Sequence, residues 1–167
     1  MNHPAQAWLK LLETDGYHPS LTDEGEVAFM HQGRFVFVLF DAEAPRSARV
    51  VSPIYWPIED DAALLQALTA ASHATAGGGA AKVCLLDQPT VDGAVMGAVL
   101  EFTDMRPRAI RAALPARLAD LQRAVTCYND EMCAAQESRW ANERMADEAA
   151  EDVDSAGLVA AGADGRA

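Results

Sequence analysis

A chain of 167 residues, half of them hydrophobic, is long enough to bury the core of one domain. Its 25 acidic and 13 basic residues give a formal net charge of −12. This excess of acid disfavours nucleic acids and anionic membrane surfaces as partners, because both are bound through Lys and Arg. Residues 129–167 alone have a charge of −7, so this segment differs electrostatically from residues 1–128.

The first third of the chain predicts a short helix and three strands. The helix covers residues 4–12, and strands follow at 26–31, 34–40 and 47–54, with Gln32-Gly33 as a two-residue hairpin turn. The strand at 34–40 is apolar on both faces, so both need cover. We expect a helix on one face and a partner chain or second copy on the other, where the candidate contact residues are Phe35, Phe37 and Leu39.

The middle of the chain predicts an Ala-rich helix and a second hairpin. Acidic residues at 59–61 cap a helix over 61–75, and we expect Leu64, Leu65 and Leu68 to face inward. Strands follow at 81–86 and 94–102, and residues 87–93 between them have the composition of a turn.

The last part of the chain predicts a long helix and an acidic tail. We expect Pro115 in the first turn of that helix. Apolar residues then recur at steps of four and three: Leu114, Leu118, Leu121, Val125, Tyr128 and Met132. This stripe either packs on the chain's own sheet or, from Leu118 onward, belongs to a partner or dimer surface. Residues 147–167 predict a disordered tail after a domain at 1–146.

The predicted order of elements is α-β-β-β-α-β-β-α. This order indicates the α+β class, an antiparallel sheet of about five strands with helices packed on it. Three cysteines suit free thiols in a reducing compartment, and the sequence shows no signal peptide pattern and no apolar run that could span a bilayer. We therefore expect a cytoplasmic protein.

No catalytic, metal-binding or cofactor-binding residues are predicted. The four histidines (His3, His18, His31 and His73) do not pair at helical spacing, and none has a cysteine neighbour at metal-ligand spacing. The only glycine-rich loop, at 77–79, precedes a strand and lacks the features of a phosphate site. An enzyme with a dispersed site stays an alternative.

Three arginines crowd the start of the last helical region, against the helix dipole: Arg106, Arg108 and Arg111. One interpretation is a solvated face. The other is a site for an acidic partner segment, either from another chain or from residues 147–154 of this one.

Two stretches, GRFVFVL at 33–39 and SPIYWPIED at 52–60, resemble the YbjN-like family, which shares its fold with type III secretion chaperones. The Ala-rich helix, the strand KVCL at 82–85, the segment LEF at 100–102 and the C-terminal stripe follow in the family's order. The resemblance covers about residues 5–133. The sequence departs from it at 72–74, Ser-His-Ala, where the family often has an Asn.

This resemblance implies a type III secretion chaperone-like fold and a non-enzymatic protein-binding module. The module would be a regulator or a chaperone-like adaptor that acts as a homodimer. A dedicated type III secretion chaperone, which binds an extended segment of an effector, is the alternative within the same fold.

Overall fold

A computed structural model of the protein describes residues 4–41, 44, 46–86 and 95–161, with side chains as far as residue 146. Along these residues the elements are α1 (Pro4–Thr14), β1 (Ser20–Leu21), β2 (Val27–His31), β3 (Arg34–Phe40), β4 (Ala48–Ile54), α2 (Asp61–Gly77), β5 (Lys82–Leu86), β6 (Val95–Phe102) and α3 (Pro107–Ala161). The predicted turn at 87–93 lies outside the described residues.

The strands form one antiparallel sheet in the order β1-β2-β3-β4-β6-β5. The predicted α+β class and antiparallel sheet are confirmed, with six strands among the described residues where about five were expected. The additional strand is β1, which is only two residues long and is too short to give a period-2 signal in the sequence.

The turn between β2 and β3 is the two-residue hairpin that the sequence predicts. Gln32 has a φ of 48° and Gly33 a φ of 77°, and His31 pairs with Arg34 across the turn. A type I′ turn requires positive φ at both central residues. The twist of such a turn matches that of the flanking strands. This turn fixes the register of β3.

One face of the sheet contributes to the core. Alternate residues of β2 and β3, such as Phe29, Val36 and Val38, are buried on this face. Trp8 of α1 is also buried, and its ring meets Phe102 of β6 edge to face at 5.4 Å between centroids. Helix α1 therefore packs on this side of the sheet.

Helix α2 packs through its alanines and not through its leucines, which corrects the prediction for Leu64, Leu65 and Leu68. Leu65 is 68% exposed, Leu68 is exposed and Leu64 is half-buried. The buried residues are Ala63, Ala67, Ala70, Ala71 and Ala74. Small side chains allow α2 to lie close to β5, the strand that it contacts. Gly78, just after α2, is itself close to α3, because a Cβ there would lie 2.9 Å from Ala124 Cβ.

Pro115 lies inside α3 and not in its first turn, so that prediction is wrong. The helix begins at Pro107, where the missing N–H costs nothing because the first N–H groups of a helix have no partner within the helix. Pro115 is exposed and removes one N–H donor from the ladder, and the apolar stripe on either side of it keeps the segment helical.

The chain divides into two units, residues 1–130 and 131–167. In the second unit α3 continues to Ala161, whereas the sequence predicted a disordered tail from residue 147. Residues 143–151 (ERMADEAAE) are strong helix formers apart from Asp147, which accounts for the difference. Met132 is buried in this unit, and Trp140 and Met145 are exposed.

Candidate functional site

The sheet has a second face, opposite the helices, that carries Phe35, Phe37 and Leu39 of β3. Phe35 is 59% exposed, and Phe37 and Leu39 are half-buried. The two phenyl rings lie 6.4 Å apart between centroids, at an interplanar angle of 32°. The structure thus brings together the three strand residues that the sequence selected as a contact surface. We refer to this side of the sheet as the open face.

Three rows of register partners cross the open face. The first row is Ala28, Phe37, Val51, Val99 and Lys82, on β2, β3, β4, β6 and β5. The second contains the pair Met30 and Phe35 and the series Pro53, Gly97 and Cys84. The third is Leu39, Arg49 and Glu101. Two apolar rows therefore lie beside one charged row.

The centre of the open face is apolar and largely buried within the chain. Val51 lies between its register partners Phe37 and Val99 and is only 4% exposed. Leu86 covers Gly97, because a Cβ at Gly97 would lie 2.5 Å from Leu86 Cδ1. The largest exposed side chains of this face lie to one side of its centre, on β2 and β3.

The charges of the open face differ from those of the whole chain. Arg49, Lys82 and Glu101 are exposed there, two cations and one anion on a protein of charge −12. Burial raises the pKa of the Cys84 thiol, and the nearby Arg49 and Lys82 oppose that rise. The thiol is therefore held neutral, which does not suit a reactive cysteine.

Both edges of the sheet are poorly suited to adding another strand. On one edge β1 has only two residues. On the other, the Thr75 hydroxyl of α2 accepts a hydrogen bond from Val83 N–H at 2.9 Å and donates one to Val83 C=O at 3.5 Å. Thr75 thereby satisfies backbone groups of β5 that a partner strand would use. The edges of the sheet therefore offer few free backbone groups for strand pairing.

The structure buries the helical half of the predicted contact surface. The residues that are each no more than 2% exposed are Leu118, Leu121, Val125, Tyr128 and Met132. The alternative interpretation, in which the stripe packs within the chain, agrees with this burial. Burial also raises the pKa of Tyr128 to about 12, and its hydroxyl has no hydrogen-bond partner among the described residues.

Two of the three arginines at the start of α3 form ion pairs with acids of the same chain. The Arg106 guanidinium donates from Nε to both carboxylate oxygens of Asp104, at 2.9 and 3.0 Å, and holds the pKa of Asp104 at about 2. Arg111 Nε lies 3.0 Å from Asp15 Oδ1. Only Arg108 is exposed without an ion pair among the described residues. The side chains of Arg106 and Arg111 stay 82% and 53% exposed, so these ion pairs are weak.

No family model, curated protein or solved structure matches the chain. The resemblance to the YbjN-like family and to the type III secretion chaperone fold therefore stays a prediction.

Two other kinds of site are absent from the part of the chain that the structure describes. No three His, Cys, Asp or Glu side chains there come close enough to hold a metal ion. None of the helices there has a stretch long and apolar enough to cross a membrane. A shallow cavity of about 650 Å³ is lined by Arg46, Thr103, Asp104, Met105, Arg106 and Pro107, and its one carboxylate is already bound to Arg106.

Sequence reasoning missed the charged row and the residue that closes the edge of β5. Arg49 and Glu101 lie on strands far apart in the sequence, and only the pairing of β4 with β6 makes them neighbours. Thr75 gives no signal of its own, because a threonine near the end of a helix is common. Alternation within a strand was a sufficient signal for Phe35 and Phe37.

Proposed function

We propose that the chain is a protein-binding module without catalytic activity, a cytoplasmic regulator or adaptor that binds another polypeptide through its open face. The observation that carries the proposal is the exposure of Phe35 beside Phe37 and Met30, on a sheet face with an apolar centre. Exposed apolar patches of this kind mark contacts with other proteins, and large aromatic side chains provide most of the binding energy at such contacts.

Binding through a face is favoured over binding through an edge by the arrangement of the sheet. A peptide that adds a strand needs a row of free N–H and C=O groups. Thr75 occupies those of Val83, and β1 is too short to offer a row. A partner that lies across the strands needs only side-chain contacts, and these are what the open face presents.

The test compares two double variants that each remove a pair of exposed apolar side chains. Phe35→Ser with Phe37→Ser alters the open face, and Leu65→Ser with Leu68→Ser alters the outer side of α2. Each tagged chain is expressed in its source cells beside an untagged copy, and the polypeptides retained with it are identified by mass spectrometry. Circular dichroism and a urea melt verify that each variant folds.

We expect the wild type and the α2 variant to retain the same polypeptide, whether another protein or the untagged copy. The open-face variant should lose it, because its two aromatic contacts are gone. Equal retention by a folded open-face variant would show that the open face is not the binding surface.

A further inference from the structure

Two exposed arginines at one end of the open face have no acidic partner among the described residues. Arg49 lies on β4 in the third row, and Arg46 comes three residues earlier in the chain. Neither forms an ion pair there, although Glu101 is the register partner of Arg49. Because arginine binds carboxylates through paired hydrogen bonds, this end of the sheet is suited to acidic side chains of another molecule.

A shallow cavity opens at the same end of the sheet. Ala48 pairs with Phe102, so the chain enters β4 and leaves β6 side by side. Arg46 comes from the first of these segments and Arg106 from the second, and both line the cavity. Arg106 already donates two hydrogen bonds to Asp104. Arg46 is therefore the lining cation that is left to bind an incoming carboxylate.

The exposed apolar side chains lie at the opposite end of the face. Phe35 pairs with Met30, and Leu39, four residues further along β3, pairs with Arg49. Four residues of a strand span about 14 Å, and the step to β4 and beyond brings the separation to about 15–20 Å. Val51, which lies between the two ends, is buried and adds no obstacle. A partner that uses both ends must therefore carry its apolar and acidic residues at this separation.

The open face offers side chains to a partner and no free row of backbone groups. An extended segment laid over it would bury N–H and C=O groups without hydrogen bonds, whereas a helix pairs these groups internally. A helix rises about 1.5 Å per residue, so about 11 residues cover 16 Å in three turns and return to the same side of the helix. The separation of the two ends thus matches three helical turns.

We propose that the open face binds an amphipathic helix of another protein. Its apolar residues contact Phe35 and Phe37, and its Asp or Glu residues, about three turns further along, bind Arg46 and Arg49. This inference rests on the proposed function, since it names the chemistry of the partner of the same surface. A helix with lysines or arginines at that position would be repelled there, so the two arginines select among apolar helices.

Three labelled synthetic peptides of about 20 residues test the spacing, by fluorescence anisotropy with the full chain. The first carries three leucines on one side of a neutral, Ala-rich helix and three glutamates about 11 residues further along on the same side. The second has glutamine in place of glutamate. In the third, the glutamates are moved by two residues, to the opposite side of the helix. We expect the first peptide to bind at least about tenfold more tightly than either control.

Charge reversal in the protein tests which cations are used. Arg46→Glu together with Arg49→Glu should abolish the preference for the first peptide. The matched control, Lys10→Glu together with Arg123→Glu, makes the same change in net charge at exposed positions of α1 and α3 outside the cavity lining, and it should keep the preference. Salt should weaken binding of the first peptide to the wild type more than to the Arg46 and Arg49 variant. Circular dichroism verifies that both variants fold.

Equal binding of the three peptides, binding of the first that is weaker than about 1 mM, or a preference that survives both arginine changes would overturn the inference. Two other occupants would also overturn it. Inorganic phosphate that displaces the first peptide better than chloride at equal ionic strength would indicate a phosphate site. A dimer in sedimentation equilibrium that the two arginine changes dissociate would indicate a second copy.

The retention experiment with source cells separates this inference from the proposed function. If the Arg46 and Arg49 variant retains the same polypeptide as the wild type while the Phe35 and Phe37 variant loses it, only the acidic helix fails and the proposed function stands. If the folded Phe35 and Phe37 variant retains it equally, the proposed function fails as well.

Discussion

The hydroxyl of Thr75 closes the outer edge of β5, and Thr75→Val removes that hydroxyl while keeping the shape of the side chain. Val83 N–H then loses an acceptor at 2.9 Å and Val83 C=O loses a donor at 3.5 Å. Because valine and threonine have nearly the same volume, the variant leaves no cavity. The change in the free energy of unfolding therefore reports the two hydrogen bonds.

An unsatisfied buried donor or acceptor costs about 1–3 kcal/mol. The site is half-buried, and the bond to the carbonyl is at the limit of hydrogen-bond distance, so only the N–H bond contributes in full. We therefore expect Thr75→Val to lower the free energy of unfolding by about 1–2 kcal/mol. Water that reaches the freed groups would bring the loss toward the lower value.

Urea unfolding and hydrogen exchange measure the effect. The matched control is Thr69→Val on the same helix, where the hydroxyl bonds only to Leu65 C=O at an exposed position, so its effect should stay within about 0.5 kcal/mol. The amide of Val83 should exchange about tenfold faster in Thr75→Val than in the wild type, in proportion to the lost stability. Equal unfolding midpoints for the two variants would refute the role of Thr75 at this edge.

Three further changes test the turn, a histidine and the packing of α2. Gly33→Ala should lower the free energy of unfolding by about 1–2 kcal/mol, because Gly33 has a left-handed φ of 77°. Urea melts measure this loss. The control is Gln32→Asn, because asparagine tolerates the φ of 48° at position 32 better than glutamine does. Burial lowers the pKa of His31, so the unfolded chain binds the proton more tightly and stability falls as the pH drops below about 6.5. Unfolding midpoints at pH 7 and 5.5 should differ less in His31→Gln than in the wild type. Ala67→Leu should cost about 1–3 kcal/mol by overpacking a fully buried position, whereas Leu65→Ala should stay within about 0.5 kcal/mol.

The strands and the hairpin could be predicted because their signals are local. Alternation within residues 34–40 sets Phe35 and Phe37 opposite Val36 and Val38, whatever the rest of the chain does. Gln32-Gly33 fixes the turn through backbone geometry alone. Phe35 and Phe37 therefore lie on the face of the strand where the sequence placed them.

The orientation of α2 could not be predicted because hydrophobicity and packing disagree there. Hydrophobicity favours Leu65 and Leu68 as the inner face, whereas the fold buries the alanines of α2, which contacts β5. The spacing between the helix and the sheet decides between the two faces, and the sequence of the helix does not encode that spacing. The position of Pro115 was misjudged for a related reason, because packing on both sides of it outweighs the lost hydrogen bond.

The apolar stripe of α3 shows that the same limit applies to predicting the functional site. Leu118 and Leu121 have the spacing of a partner surface and equally that of a core helix, and periodicity is identical in the two cases. Only the burial of the stripe separates them. The charged row could not be predicted for another reason. Arg49 and Glu101 become neighbours through the order β4-β6-β5, which is a crossover that no local pattern encodes.

The closed edges and the open face together determine what kind of association this sheet favours. Addition of strands at an edge can be repeated from chain to chain without limit and leads to aggregation. A contact through the side chains of the open face does not extend the sheet in this way. Because Thr75 and the short β1 limit pairing at the edges, the sheet can expose Phe35 and Phe37 on its face without offering a full edge strand to another chain.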